Sequence, residues 1–446
     1  MNQNVNLTTG DITKALIKLS IPLALTALIQ ITYNFVDMFF LGRLGSNAIA
    51  GVGLALFLLW IANAIALIPK IGMGVFVSQA FGRGDYDESI RILNNGYILT
   101  IIVAIIYSIL VLLFKNIYVD FYGLSETASR YAREYIFILG FGLIFFFINP
   151  ILSQSFQSLG NSVTPFKINT IGLVVNIIMD PIFIFGFGPI PRMEVRGAAL
   201  ATVLSQSIVT IIFLIEIFRK NKLLTRAITK IDFRSDWISQ IFKMGLPAAM
   251  MSSLMAVISI ILNKFMAQFG EAAVAAYSIG SELEAITWNT TEGMQVAIAA
   301  MIGQNYGAGK YERVREAVKK SAQIVFAIGF ISMLVLFIFR YPLMRIFAPT
   351  DPETVELGAL YLSILSMSQI FMATEIGLTG AFNGMGDTKT PARISLSLNL
   401  IRIPLARILM PIFGVGGVWA AMAITSVFKG SLDAILLRKK VREKLN

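Results

Sequence analysis

The amino-acid sequence predicts an all-α polytopic membrane protein with twelve transmembrane helices in two pseudo-twofold-related six-helix lobes. Three observations lead to this prediction: an apolar composition, long apolar stretches along the whole chain, and motifs that repeat at one offset. Of the 446 residues, 56% are hydrophobic and only 14% are charged, with a mean hydropathy of +0.74. Soluble domains carry roughly 25% charged residues, so this chain has too few polar side chains to cover a surface in water.

Each long apolar stretch predicts one membrane span, because it is long enough to cross about 30 Å of hydrocarbon as a helix. A helix is required there, since backbone groups find no water to bond inside the hydrocarbon. We place the spans at residues 16–41, 50–80, 94–114, 133–157, 166–188, 196–218, 244–267, 275–306, 321–346, 355–383, 391–413 and 415–436.

Three motifs of the first half recur in the second half. KLSIP at 18–22 recurs as KMGLP at 243–247, QAFGRG at 79–84 as QNYGAG at 304–309, and FQSLG at 156–160 as FNGMG at 382–386. The offset is 225 or 226 residues each time. Two halves of six spans then repeat in the same orientation, and transporters with such repeats bind their cargo between them. We predict an N-lobe at 12–220, a cytoplasmic linker at 221–243 and a C-lobe at 244–440.

Basic residues predict the orientation of the chain and argue against nucleic acid as a partner, although the formal net charge is +11. With the amino terminus inside, 24 of the 37 Lys and Arg residues fall in cytoplasmic segments or within the first three residues of a span that starts there, as the positive-inside rule requires. We therefore expect a multi-pass protein of a bacterial or archaeal plasma (inner) membrane with both termini in the cytoplasm. Membrane lipids are expected partners, and we expect a monomer.

Missing residue types exclude several kinds of chemistry. The sequence contains no His and no Cys, which removes disulfides, thiol chemistry, His-metal sites and Ser-His-Asp catalysis. It also contains no nucleotide-binding loop, which argues against ATP as an energy source. We expect no enzyme activity and no organic cofactor.

Five polar residues of the first half are expected to meet inside the membrane. A charged side chain there costs from roughly 3 to over 10 kcal/mol, so acids that persist are usually paired or functional. At about 1.5 Å per residue, Asp37, Asp180 and Thr202 lie roughly 8–12 Å below the outer surface. Asn176 is one turn from Asp180, and Asn34 is one turn from Asp37. Such oxygen atoms bind Na⁺ or share a proton; alternatively, they only satisfy one another in a helix bundle.

The repeat favours a functional interpretation of this cluster. Asp37 corresponds to Leu262 and Asn176 to Arg402, so the second half has no copy of it. A purely architectural requirement would appear in both halves.

The second half carries a different polar set. Glu284, Trp288 and Glu292 recur every four residues on one face of the eighth span, and Glu375 and Arg402 lie at a depth that allows an ion pair. One interpretation is a substrate cleft in which these acids attract cationic compounds and Trp288 offers a cation–π face. The other is an internal Glu–Arg network that fixes packing. Arg402 is also a candidate gating residue.

Two further residues are candidates for gating. Lys70 of the second span is expected opposite the eighth span, where it would pair with Glu292 when the cytoplasmic side closes; snorkelling to the surface is the alternative. Pro22 removes a backbone hydrogen bond from the first span, and bending there would move Asp37.

Several of these motifs together resemble the multidrug and toxic compound extrusion (MATE) family, and most of all its DinF/MepA-like bacterial branch. They are Pro22, Asp37, QAFGRG at 79–84, NIIMDP at 176–181, RGAALAT at 196–202 and GMGDTKTP at 384–391, within a resemblance that spans about residues 12–440. The resemblance implies alternating access and drug efflux coupled to entry of H⁺ or Na⁺. It also implies a cation site at four residues, which would be metal ligands if Na⁺ is the ion: Asp37, Asn176, Asp180 and Thr202. One departure is that the span at 244–267 lacks the acid that the NorM-like branch carries there.

The function predicted from these observations is secondary active multidrug efflux antiport. Small organic compounds, often cationic and amphipathic, would leave the cell in exchange for H⁺ or Na⁺. The alternative within the same superfamily is a flippase for a lipid-linked precursor, although such flippases show a strongly cationic cavity. An ion channel and an intramembrane enzyme with an aspartyl dyad are the alternatives from other classes.

Overall fold

A computed structural model describes residues 6–349 and 351–444, except for the side chains of residues 30, 31, 34, 35, 38, 46 and 444. This part of the chain is α-helical, with an isolated β-bridge between Phe187 and Ile190. The helices are α1 (Ile12–Gly42), α2 (Ser46–Arg83), α3 (Tyr86–Phe121), α4 (Glu126–Ser158), α5 (Val163–Phe185), α6 (Val195–Lys220), α7 (Lys222–Thr229), α8 (Ser235–Ala267), α9 (Glu271–Gly307), α10 (Tyr311–Ile338), α11 (Arg340–Phe347), α12 (Pro352–Ser366), α13 (Gln369–Gly384), α14 (Lys389–Phe413) and α15 (Val415–Lys444).

Within the described residues, ten helices are long and apolar enough to cross a membrane. An eleventh span results if α12 and α13, which are bent by 53° at their junction, count as one. The remaining long helix is α9, whose hydropathy is lowered by Glu271, Glu282, Glu284 and Glu292. With α9 and the α12–α13 pair included, each of the twelve predicted spans has a counterpart; the ninth, at 321–346, covers α10 and α11. The predicted all-α polytopic fold is confirmed.

The chain divides into two compact units. One unit spans Leu25–Ala249, and the other joins residues 6–24 to the described residues from Met250 onward. These boundaries differ from the predicted N-lobe at 12–220, linker at 221–243 and C-lobe at 244–440. The segment predicted as a linker belongs to the first unit and contains α7 and the start of α8. Packing at the start of α1 and of α8 accounts for the difference.

The start of α1 packs in the second unit. Leu16, Leu19 and Leu23 are buried in one hydrophobic core with Met294 and Ala297 of α9. Burying a leucine side chain contributes roughly 1.5–3 kcal/mol. These contacts therefore hold the start of α1 in the second unit, although its residues belong to the first half of the sequence.

Side chains of α9 and α10 also hold the segment that precedes α1. Arg313 donates from Nη1 to the carbonyl oxygen of Gly10 at 2.8 Å and from Nη2 to that of Thr9 at 2.9 Å. Asn305 donates from Nδ2 to the carbonyl oxygen of Leu7 at 2.9 Å. The second unit therefore fixes the chain before its first helix begins.

Two buried asparagines of α3 hold the loop between α7 and α8. Asn94 donates from Nδ2 to the carbonyl oxygens of Ala227 (3.0 Å) and Lys230 (2.9 Å), and its Oδ1 accepts from the backbone N–H of Asp232 at 3.0 Å. Asn95 donates to the carbonyl oxygen of Asp232 at 2.9 Å. The loop is thereby attached to the first unit.

Candidate functional site

Helices α1, α5 and α6 bring four predicted residues together in the first unit. Asp37 keeps 9% of its surface exposed and Thr202 5%, while Asn176 and Asp180 are fully buried. The four residues come from only three helices, because Asn176 and Asp180 both lie on α5, one turn apart. The fifth predicted member, Asn34, has a side chain outside the described part of the chain.

The hydrogen bonds within the cluster are long and incomplete. Thr202 Oγ1 lies 3.4 Å from Asp37 Oδ2 and 2.9 Å from the carbonyl oxygen of Ala198. A hydroxyl has one proton to donate, so Thr202 serves one of these acceptors at a time. Asn176 donates from Nδ2 to Asp180 Oδ1 at 3.4 Å. The neutral members of the cluster therefore stabilise the two carboxyl groups weakly.

The carboxyl groups of Asp37 and Asp180 lie within hydrogen-bonding reach of each other. Ionised carboxylates only accept hydrogen bonds, so this contact is favourable only with a proton or a cation between them. Neither carboxylate forms an ion pair with a basic side chain among the residues that the structure describes. Within the described residues the pair therefore lacks a counter-charge.

Within the described part of the chain, three buried oxygen atoms of the cluster have no hydrogen-bond partner: Asp37 Oδ1, Asp180 Oδ2 and Asn176 Oδ1. Leaving such atoms unpaired costs about 1–3 kcal/mol each, and more when they are charged. Over the described ranges, no group of three or more His, Cys, Asp or Glu side chains is arranged to hold a metal ion. Two carboxylates with amide and hydroxyl oxygens suit one proton, or one hard monovalent cation.

Two tyrosines that the sequence reasoning missed lie beside this cluster. Tyr33 of α1 is buried, donates to Ser205 Oγ at 3.5 Å and lies in the field of both carboxyl groups. Tyr135 of α4 is buried and within hydrogen-bonding reach of Thr202. Tyr33 precedes Asp37 by one helical turn, which is the sequence signal that identifies it. Tyr135 has no such signal, because it reaches the cluster from another helix.

In the second unit, Glu284 engages two polar side chains. Its carboxylate accepts a hydrogen bond from the Tyr361 hydroxyl and one from Gln369 Nε2 at 2.6 Å. Tyr361 is fully buried and packs edge-on against Trp419. The carboxylate predicted to face a substrate cleft is thus held by α12 and α13.

The ion pair that similar depth allowed between Glu375 and Arg402 does not form among the described residues. Glu375 Oε2 lies 2.9 Å from Lys429 Nζ in a buried pair. Arg402 donates instead from Nε to Thr425 Oγ1 at 2.9 Å and from Nη2 to Ser426 Oγ at 3.4 Å. Glu375 thus binds the ammonium of Lys429 and Arg402 binds hydroxyls of α15, whereas similar depth had allowed the two residues to bind each other.

The remaining predicted residues are distributed over both units. Trp288 is 38% exposed, and Glu292 and Pro22 are half-buried in the second unit. Lys70 is half-buried in the first unit, and its pairing with Glu292 stays a prediction.

The repeat seen in the sequence reappears in the comparison with protein families. The model of the MatE family matches residues 22–182 and again residues 247–408, which is the same offset as that of the repeated motifs. The two matches together cover most of the chain.

The chain belongs to the MatE family. The resemblance to MATE transporters drawn from its motifs is thereby confirmed, and the protein is a multi-pass membrane protein of a transporter family.

Curated relatives align with this MATE protein over nearly its full length. The "Probable multidrug resistance protein NorM" of Thermotoga maritima is 27% identical, with 97% of this chain and 96% of the relative aligned. The "FAD transporter" of Shewanella oneidensis is 26% identical, with 96% and 95% aligned. The crystal structure of a MATE transporter in complex with MaD5 has the same fold, with a TM-score of 0.89 at 22% identity and 99% of each chain covered.

Proposed function

We propose that this MATE protein is a secondary active multidrug efflux antiporter. It exports organic compounds by alternating access, and the Asp37–Asp180 pair binds the cation that enters in exchange. The observation that carries the proposal is the contact between two buried carboxyl groups that have no counter-charge among the described residues. Three oxygens of the cluster for which the described part of the chain offers no hydrogen-bond partner support it, because they can act as ligands of a bound cation.

Electrostatics explains how one cation switches this pair. Two like charges about 4 Å apart repel by roughly 4 kcal/mol at an effective dielectric constant near 20. A proton or Na⁺ between Asp37 and Asp180 removes that repulsion and stabilises α1 against α5. Loss of the cation restores the repulsion and favours an arrangement in which the two helices separate at this point.

The position of Asp37 on α1 links the cation to the rest of the molecule. Residues 12–24 of α1 belong to the second unit, and the remainder of the helix, with Asp37, belongs to the first. A change at Asp37 therefore acts on a helix that both units share. Pro22 lies close to this boundary and lacks the N–H of a regular helix, so it is the proposed bending point.

We propose H⁺ as the coupling ion. A direct carboxyl–carboxyl contact is the arrangement that a shared proton stabilises, whereas Na⁺ requires several oxygens around it. In the same proposal Trp288 and Glu292 form the substrate side, because Glu284 and Glu375 are engaged by other side chains of the second unit. Both termini lie in the cytoplasm, and the protein acts as a monomer in the plasma membrane.

Transport by the purified full-length protein tests this function. Proteoliposomes are loaded with a fluorescent organic cation, and efflux is measured under separately imposed pH and Na⁺ gradients. The proposal predicts efflux driven by the pH gradient, with at least about tenfold slower rates in Asp37→Asn and Asp180→Asn. Asp236→Asn, an exposed acid at the start of α8, is the matched control and should transport normally. Full activity in both cluster variants would contradict the proposal.

The same vesicles separate the competing functions. Because one relative is named as a FAD transporter, FAD is a second probe. Transport of FAD without transport of organic cations would show that the proposed substrate class is wrong. A lipid-linked substrate that crosses while soluble compounds do not would indicate a flippase. Ion flux that needs no organic substrate and never runs uphill would indicate a channel.

A further inference from the structure

The second unit contains a buried ion pair that the proposed coupling site does not use. Lys429 of α15 and Glu375 of α13 have side chains that are 3% and 8% exposed, with Lys429 Nζ 2.9 Å from Glu375 Oε2. Ser395 of α14 donates to Glu375 Oε1 at 3.2 Å, and Asn399 donates to Ser395 Oγ at 3.1 Å. Glu375 therefore has both a counter-charge and a hydrogen-bond donor.

Asp433 lies one helical turn beyond Lys429 on α15 and has neither. Its exposure is 1%, and no described residue forms a hydrogen bond with its buried Oδ1. Among the described residues it forms no ion pair within 4.0 Å. The charges that act on it are those of Glu375 and Lys429, and Lys429 already pairs with Glu375.

The local charge count leaves one acid in excess. The charged groups that face one another across α9, α13, α14 and α15 are three acids and two bases: Glu284, Glu375, Asp433, Arg402 and Lys429. The other charged residues of α12 and α14, which pack along α15, are exposed: Glu353, Glu356, Lys389, Arg393 and Arg407. Over the described ranges, no other base of these helices lies within 4.0 Å of the Asp433 carboxyl group.

We propose that Asp433 is a proton-binding site of the second unit, separate from the Asp37–Asp180 cluster. A buried carboxylate without a partner is strongly unfavourable, and protonation removes its charge. A metal cation does not fit, because the ammonium of Lys429 one turn away repels it. A proton needs only one oxygen of Asp433, and the bound proton then serves as a donor.

Contacts within the second unit show how deep this site lies. Lys440 of α15 pairs with Asp387 in the turn between α13 and α14, so it lies level with the end of those two helices. Asp433 precedes Lys440 by seven residues, or about 10 Å along the helix. A proton at Asp433 is therefore close enough to this end to exchange with water when the surrounding helices loosen.

Infrared difference spectroscopy of the purified full-length protein tests the proposal, because a protonated carboxyl has a C=O band that a carboxylate lacks. The Asp37→Asn/Asp180→Asn variant removes the proposed coupling pair and leaves Asp433 in place. We expect a protonated-carboxyl band in this background, and its loss when Asp433→Asn is added. Asp433→Glu should shift the band without removing it, which keeps the test valid if the Asn variant fails to fold.

Glu443→Gln is the matched control, because it removes an exposed acid of the same helix, and it should leave the band unchanged. The same band with and without Asp433 would overturn the inference. Failure of the coupling proposal gives a different result: the Asp37→Asn/Asp180→Asn variant would then keep all of the wild-type band intensity, while Asp433→Asn alone would still reduce it.

Discussion

Ala24 and Ala249 occupy equivalent positions in the two halves of the sequence, 225 residues apart, and each is the last residue of a segment that belongs to the unit of the other half. Each lies two residues after a proline of the repeated motif, Pro22 or Pro247. The exchange is therefore reciprocal. Each unit contains the start of the first helix of the other half. The boundaries between the units therefore repeat at the same offset as the sequence motifs.

Replacing Asn94 by Ala should detach the loop between α7 and α8 from the first unit. The substitution leaves two carbonyl groups and one N–H without their partner, at a cost of about 1–3 kcal/mol in unfolding free energy. We expect a lower Tm and faster tryptic cleavage after Lys230, measured on the purified protein. Asn63→Ala is the control, because Asn63 is exposed and bonds only within its own helix. Equal cleavage in both variants would contradict the role assigned to Asn94.

Arg313→Gln should release the segment before α1 in the same way. Its guanidinium donates to the carbonyl oxygens of Thr9 and Gly10, and a charged donor contributes roughly 1.5–3 kcal/mol per hydrogen bond. Cleavage by trypsin after Lys14 should become faster, while Lys319→Gln, an exposed base of the same helix, should leave it unchanged. Unaltered cleavage in Arg313→Gln would show that Arg313 does not hold the segment.

A double-mutant cycle should show that Glu375 and Lys429 stabilise each other. Removing one partner of a buried pair costs about 3–5 kcal/mol, because the other charge remains without compensation. Lys429→Met alone should therefore lower stability more than Lys429→Met combined with Glu375→Gln. Unfolding of the four proteins in mixed micelles measures the coupling, and additive losses would mean that the pair is not coupled.

The sequence predicts helices and depth better than it predicts partners. Counting residues along the spans brought Asp37, Asp180 and Thr202 to one level, because a fixed rise per residue determines depth. The same count cannot show which helix packs beside which, so Lys429 was missed as the partner of Glu375 and Tyr135 was missed beside Thr202. Tertiary packing decides both.

The helices differ from the predicted spans at two places, and a hydropathy pattern gives no signal of either difference. The tenth span is broken between Ser366 and Gln369, at a position with neither Pro nor Gly to signal it. The predicted linker contains α7, which begins with Asn221 as an N-cap that accepts from the N–H of Leu224 at 3.1 Å. Short helices of this kind depend on capping and on the surface they cover.

The linkage between cation and drug tests the central claim most directly. If Asp37 and Asp180 bind the coupling proton, protonation and drug binding must change each other's affinity by the same factor. The affinity of the purified protein for a fluorescent organic cation should fall as the pH is lowered, and Asp37→Asn should make it independent of pH. An unchanged pH dependence in Asp37→Asn and Asp180→Asn would contradict the account.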